Sequence, residues 1–373
     1  MGIPVSIASD PRNHFSNNPL TSAMAGDFSL FPEPLGLAAI RDSLVTYQFA
    51  DIARQEYTAA GIRIALHPLA DLVTEPRWGR MNGTSGEDAA LSAKLIYAYV
   101  KGFQGDSLSS SSVACMTKHF LGGGPQKEGI DPHFPIAKGQ IYPGNNFGYH
   151  LIPFEAAFKA GTAEIMPYYG IPMNQTSENV GFSFNKDIIT GLLRNHYKYN
   201  GVVCTDWGII TDMKIFGLMV LPARARGMEK ASEEERMLKI IKAGVDQFGG
   251  ESIPEMLIKL VKEGKVSEAR IDSSVRRLLR VKFQMDLFDN PFVDIYLDRP
   301  AVIPEIAAAS KGLLADFGAN DDALLDLVFG KFNPQGKLPI ELPSSMEAVI
   351  NQKEDLPYDS EKPLFPFGFG LHY

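Results

Sequence analysis

The chain is poor in cysteine, with only Cys115 and Cys204 in 373 residues. Two are too few for a disulfide scaffold, and both sit inside apolar runs, where a thiol is expected buried and reduced. No apolar stretch reaches the roughly 18 residues that would span a bilayer. A basic excess is also missing. With 36 Lys and Arg against 44 Asp and Glu, the net charge is −8. No basic stripe is present to neutralise phosphates, so nucleic acid is not an expected partner. The seven histidines show no HExxH or similar ligand spacing, so neither a metal nor a cofactor is expected. A GxSxG elbow and a GxGxxG loop are absent too. The opening residues MGIPVSIAS have no basic n-region and no long apolar core. They read as a β-strand, not a signal peptide, and leave the compartment open.

What is present is an alternation of short apolar runs with longer segments of helical period, the pattern of βα units around a parallel sheet. Strands are expected at 3–9, 62–66, 113–117, 164–168, 201–205 and 245–248. Helices are expected at 36–60, 86–103, 186–199, 232–243, 253–263 and 267–284. Ser232 with Glu235 predicts a capping box, and Gly61 and Gly244 sit where helices should stop. Six βα units are expected where a closed barrel of this type needs eight. The fold class is therefore α/β: a TIM-type barrel over 1–290, incomplete, then the remnant of an α/β sandwich over 291–373. In the tail, helices are expected at 301–315 and 321–329 and strands at 338–342 and 365–373. Open sheet edges pair with other chains, so a homo-oligomer is expected.

In parallel barrels the chemistry collects at the C-terminal ends of the strands. Those positions hold Asp10, His67, Asp71, Lys118, His119, Tyr168, Tyr169, Asp206, Trp207 and Glu251, a polar and ring-bearing set suited to a carbohydrate. Asp206 beside Trp207 suits attack on a sugar whose apolar face stacks on the indole; equally, Asp206 could cap the next helix. Lys118 and His119 are neighbours on a strand and reach one site only if the backbone departs from strand geometry. Arg77 and Arg80 flank Trp78, and either could fork onto hydroxyls or form a structural ion pair. Gly122-Gly123-Gly124 lacks the Lys-Ser/Thr of a phosphate loop and reads as a flexible loop.

Together HPLADLVTEPRWGR from His67, KHFLGGGP from Lys118, EIMPYYG from Glu164 and GVVCTDWG from Gly201 resemble glycoside hydrolase family 3, especially its bacterial β-glucosidase-like members. FGKFNPQGKLPIELP from Phe329 and PLFPFGFGLHY from Pro363 are similar to the end of that family's second domain. The resemblance implies a retaining exo-glycosidase that removes β-linked glucose or a similar sugar, with members often secreted or periplasmic. Asp206 matches the nucleophile. Arg80, Lys118 and His119 match residues that bind the sugar hydroxyls, Tyr169 the tyrosine near the nucleophile, and Trp207 the aromatic wall.

Two departures stand out against the family pattern. The N-terminal part of the barrel is missing, including the usual sugar-gripping aspartate loop, for which Asp10 is a partial stand-in. A stretch between Asp294 and Ile295 is absent as well, and with it the region that supplies the acid/base glutamate in many members. Within this chain the candidate proton donors are Glu251 and the pair Asp131/His133. That pair is similar to the Asp–His pair of the family's N-acetylglucosaminidases, which makes β-N-acetylhexosaminidase one alternative. A catalytically impaired sugar-binding remnant is the other.

Overall fold

The computed structural model describes residues 3–15, 26, 28–215, 218–288, 292–310, 312–328 and 330–370. Two compact units divide after Asp286. The first carries a parallel sheet of β1 (Ile7–Ser9), β2 (Ile62–Ala65), β3 (Ala114–Phe120), β4 (Glu164–Pro167) and β5 (Val202–Val203), paired in sequence order. The expected sixth strand is reduced to a bridge between Cys204 and Gln247, continued by the Thr205 N–H to the Gln247 carbonyl. No closed barrel forms among the described residues; what they show is an α/β fold with an open parallel sheet.

The helices follow their caps. The expected helix over 36–60 is two: α1 (Pro34–Ile40) and α2 (Ser43–Ala59). Arg41 takes a left-handed turn (φ 61°) and Asp42 accepts the Leu44 N–H, so a new N-terminus starts inside the apolar pattern. α3 (Ala89–Gln104) is capped by Asp88, and α4 (Ile152–Ala160) stops at Gly161. Residues 187–196 wind with the wider i→i+5 pattern. In α5 (Glu233–Ala243) the Ser232/Glu235 capping box closes at one end and Gly244 turns left-handed at the other. α6 (Pro254–Lys262) and α7 (Glu268–Gln284) complete the unit. Phe49, Tyr57, Tyr99 and Phe103 from α2 and α3 bury one flank of the sheet. Cys115 and Cys204 are fully buried free thiols.

Charge is also buried in the first unit, away from the ends of the strands that carry Asp206 and Lys118 in sequence. The Asp246 side chain is fully buried and takes Arg194 at 2.5 Å, Arg277 at 2.9 Å and the Ser274 hydroxyl at 2.8 Å. Glu164, at the start of β4, is less well served: its Oε2 has no partner, and burial pushes its carboxyl from 4.5 up to about 7. The folded state thus keeps a proton that the unfolded chain loses, and stability must fall as pH rises from about 4.5 to 7. Glu164→Gln should remove that slope and be the more stable protein at pH 8, on the order of 1–3 kcal/mol. Urea denaturation of both proteins at pH 5 and pH 8 checks this, and parallel behaviour would refute it.

The second unit pairs β8 (Phe292–Tyr296) with β9 (Gly312–Asp316) in parallel, after a hairpin of β6 (Met213–Ile215) and β7 (Leu218–Leu221) in the first unit. The helix expected over 301–315 holds only for α8 (Pro304–Ala309); 312–316 is a strand. A short apolar run such as Gly-Leu-Leu-Ala suits either state until it finds a partner. The strands expected at 338–342 and 365–373 are not formed as such. Instead Leu342 bridges Phe365, and Leu338 exchanges backbone bonds with Gly368 and Phe369. Residues 371–373 lie outside the described set.

Candidate active site

Asp206 follows β5 and is buried to 8% exposure. Its Oδ1 accepts the Tyr169 hydroxyl at 2.9 Å and the Trp207 N–H at 2.7 Å. Its Oδ2 is buried without a partner. Burial alone would push this carboxyl up. The fields of His119, His133 and Lys118, with the Trp207 N–H, outweigh it and hold the group below its ordinary 3.8. The carboxylate is therefore ionised, fixed through one oxygen and bare at the other, as a nucleophile requires.

β3 does depart from regular geometry. Its register against β4 shifts between Lys118 and Phe120, and the Lys118–His119 peptide is cis. Lys118 Nζ lies 2.6 Å from Asp10 Oδ1, across from β1. His119 Nδ1 lies 2.8 Å from Asp71 Oδ2, so Nδ1 carries the proton. Arg80 Nη1 approaches His119 Nε2 at 3.3 Å and donates to the Tyr168 hydroxyl at 3.2 Å. Burial, then Arg80, pushes His119 down, which keeps the ring neutral with Nε2 as an acceptor. Nε2 is 3.9 Å from Asp206 Oδ2 and has no proton to give it. Lys118 is the standing positive charge among the groups that hold Asp206 down.

The loop after β3 is not a flexible one. Its glycines are buried, and a Cβ on Gly124 would lie 1.6 Å from the Leu72 carbonyl oxygen. The chain then runs to Asp131, whose Oδ2 accepts Trp78 Nε1 at 2.7 Å and the Tyr168 hydroxyl at 2.6 Å. Its Oδ1 meets His133 Nδ1 at 2.5 Å and accepts the His133 N–H at 2.9 Å. Burial would raise Asp131; the His133 hydrogen bond and charge, with Arg80, bring it well below the carboxylate range. The His133 ring stands edge-on to Tyr169, centroids 4.7 Å apart, with its side chain 30% exposed. Arg226 holds this segment by donating to the Pro132 and His133 carbonyls.

Glu251 is placed differently. Its Oε1 accepts the N–H groups of Ile210 and Thr211, and its Oε2 the Thr211 hydroxyl at 2.6 Å. Both oxygens are engaged in holding the loop after Trp207. Arg77 is likewise withdrawn, forked onto Glu75 at the surface, so the two arginines divide between an ion pair and the site. The Trp207 ring is 38% exposed and rests on Gly250, where a Cβ would come within 2.3 Å of it. Arg224 was not foreseen. Its guanidinium sits 5.6 Å from the Tyr169 ring centroid and its Nη1 donates to the Trp207 carbonyl. It follows a hairpin and belongs to no local motif, so only the folded chain brings it there. Among the described residues no cluster of metal-ligating side chains occurs, and no helix is long and apolar enough to cross a membrane.

Comparison with known proteins agrees along the whole chain. Residues 3–281 match the Glycosyl hydrolase family 3 N terminal domain and residues 289–373 the Glycosyl hydrolase family 3 C-terminal domain. Beta-glucosidase C of Emericella nidulans is 42% identical over 493 aligned positions, covering 100% of this chain and 80% of that protein. The Periplasmic beta-glucosidase/beta-xylosidase of Dickeya chrysanthemi is 34% identical, covering 100% of this chain and 77% of the other. Both alignments are longer than the chain itself, so these relatives carry internal stretches with no counterpart here. Among solved structures, a beta-glucosidase from Listeria innocua in complex with glucose aligns at TM-score 0.60 and 26% identity. It covers 70% of this chain and 34% of that one. A family 3 beta-N-acetylglucosaminidase from Paenibacillus aligns at TM-score 0.65 and 25% identity, covering 82% and 55%. The chain belongs to glycosyl hydrolase family 3.

Proposed function

We propose that this protein is a retaining β-glucosidase that removes β-linked glucose, or a similar sugar, from non-reducing ends. The observation that carries the reading is the bare Oδ2 of Asp206, buried and ionised beside an exposed indole. In this scheme Oδ2 attacks the anomeric carbon and forms a glycosyl-enzyme while Arg80, Lys118 and Asp10 hold the ring hydroxyls and Trp207 covers an apolar face. The five strands in sequence order are read as an arc of the barrel.

For proton transfer the geometry favours His133 over Glu251. Asp131 holds His133 Nδ1, which leaves Nε2 as the ring nitrogen for proton exchange. As imidazolium, His133 gives the Nε2 proton to the leaving oxygen; as imidazole, it takes one from the water that releases the sugar. Both oxygens of Glu251 are already engaged with the 210–211 segment. The same dyad favours a second reading, β-N-acetylhexosaminidase, which selective cleavage of acetamido aryl glycosides would establish. A secreted or periplasmic setting is proposed from the relative named periplasmic. Self-association through the outer edge of β1 is proposed from its position at the sheet margin with Val5 and Ile7 exposed.

The test is hydrolysis of 2,4-dinitrophenyl β-glucoside followed by NMR. Retention predicts β-glucose as the first-formed anomer; α-glucose first would mean inversion. A folded protein that turns over neither the glucoside nor its acetamido analogue would be a sugar-binding remnant.

A further inference from the structure

A cavity of about 350 Å³ adjoins the site. Its wall includes Asp10, Arg80 and Lys118 but none of Asp206, Tyr169, Trp207 or His133. It therefore continues from the hydroxyl-binding groups and not from the nucleophile and its ring partners. Its size falls within the roughly 300–1,000 Å³ of ordinary ligand pockets.

The far wall is chemically specific. His14 is 7% exposed, and its Nδ1 donates to the Pro32 carbonyl at 2.8 Å. Its Nε2 is consequently an acceptor, and it is buried without a partner. A buried acceptor left unpaired is destabilising, and a hydroxyl donor would satisfy it. The Ser85 hydroxyl stands on the same wall, and Leu37 and Ile96 supply an apolar face. A group with hydroxyls around its rim and C–H bonds on its face answers this wall, and a sugar ring is such a group.

We infer that the cavity seats a second sugar unit carried on a hydroxyl of the sugar whose bond is cleaved, so that the enzyme accepts a glycone two sugars long and releases a disaccharide. The inference rests on the glycosidase reading of the adjoining site. The bond cleaved and the water consumed are the same; only the glycone is longer.

Asn82 lies on the exposed rim of the cavity, and Asn82→Trp would place an indole across it. The experiment compares 2,4-dinitrophenyl β-glucoside with the corresponding β-cellobioside and β-gentiobioside, in the parent chain and in Asn82→Trp, with melting curves to confirm folding. The parent should release dinitrophenolate from at least one disaccharide with the intact disaccharide as co-product. Asn82→Trp should lower kcat/KM for that substrate by roughly tenfold or more and leave the glucoside unchanged. Cleavage of the glucoside alone, or glucose as the first product from both disaccharides, would overturn the inference while sparing the glycosidase reading. Calorimetric binding of cellobiose, gentiobiose and glucose to Asp206→Ala decides the cavity even without turnover. Tighter disaccharide binding that Asn82→Trp removes supports it. A disaccharide bound across the cleavage point would ignore Asn82→Trp, and that result, or glucose binding as tightly, would refute it.

Discussion

Asp206→Ala should lower kcat/KM for 2,4-dinitrophenyl β-glucoside by about 10⁴-fold or more, the scale on which loss of a catalytic nucleophile or its partners is felt. The substrate matters because its leaving group needs little protonation, so the rate reports attack by Oδ2 and not the proton donor. The fold should survive, because Asp206 supports only the Tyr169 hydroxyl and the Trp207 N–H on its Oδ1. Azide at high concentration should partly restore turnover of the Ala protein by entering the space vacated by Oδ2, and the product should then be α-glucosyl azide. In the parent, the carboxylate is held below its ordinary 3.8. The acid limb of kcat/KM for this substrate should therefore lie below pH 3.8, unless unfolding intervenes first. An Ala protein with parental activity would remove Asp206 from the mechanism altogether.

The first five parallel strands and their order were legible because each depends on local chemistry, whereas the hairpin at 213–221 carried no signal that was read. Asp206-Trp207 and Lys118-His119 close β-rich runs, and strand ends in a parallel sheet converge. Asp10 and Lys118 were placed at one mouth by that rule alone, and their side chains meet at 2.6 Å. The parts that were not legible depend on partners distant in the chain. Glu251 looked like any carboxylate at a strand end, and it is the arrival of Ile210 and Thr211 that takes up its oxygens. Gly122–Gly124 read as mobile because a sequence cannot show that the Leu72 carbonyl will pack against them. The split of 36–60 into α1 and α2 hung on the left-handed turn at Arg41, a residue type that seldom signals one. Residues 312–316 turned from helix to strand because β8 offered an edge.

His133→Ala is the substitution that separates the two candidates for proton transfer, His133 and Glu251. If His133 delivers the proton, its loss should cost about 10²–10⁴ in kcat/KM for alkyl or weakly acidic aryl glucosides. For the dinitrophenyl glucoside kcat/KM should hardly change, because that leaving group departs unprotonated. Its kcat should still fall, since releasing the glycosyl-enzyme needs a base to activate water. The dependence of rate on leaving-group acidity should thus steepen in His133→Ala. Asp131→Asn should move the same way by less, because it weakens the hold on Nδ1 while leaving the ring in place. Glu251→Gln supplies the control. It loosens the 210–211 loop and should shift all leaving groups by one common factor, with the slope unchanged. A steeper slope in Glu251→Gln with a parental slope in His133→Ala would reverse the assignment. Parental slopes in both would place the proton donor on neither residue, and the site would then work only on substrates that need no acid.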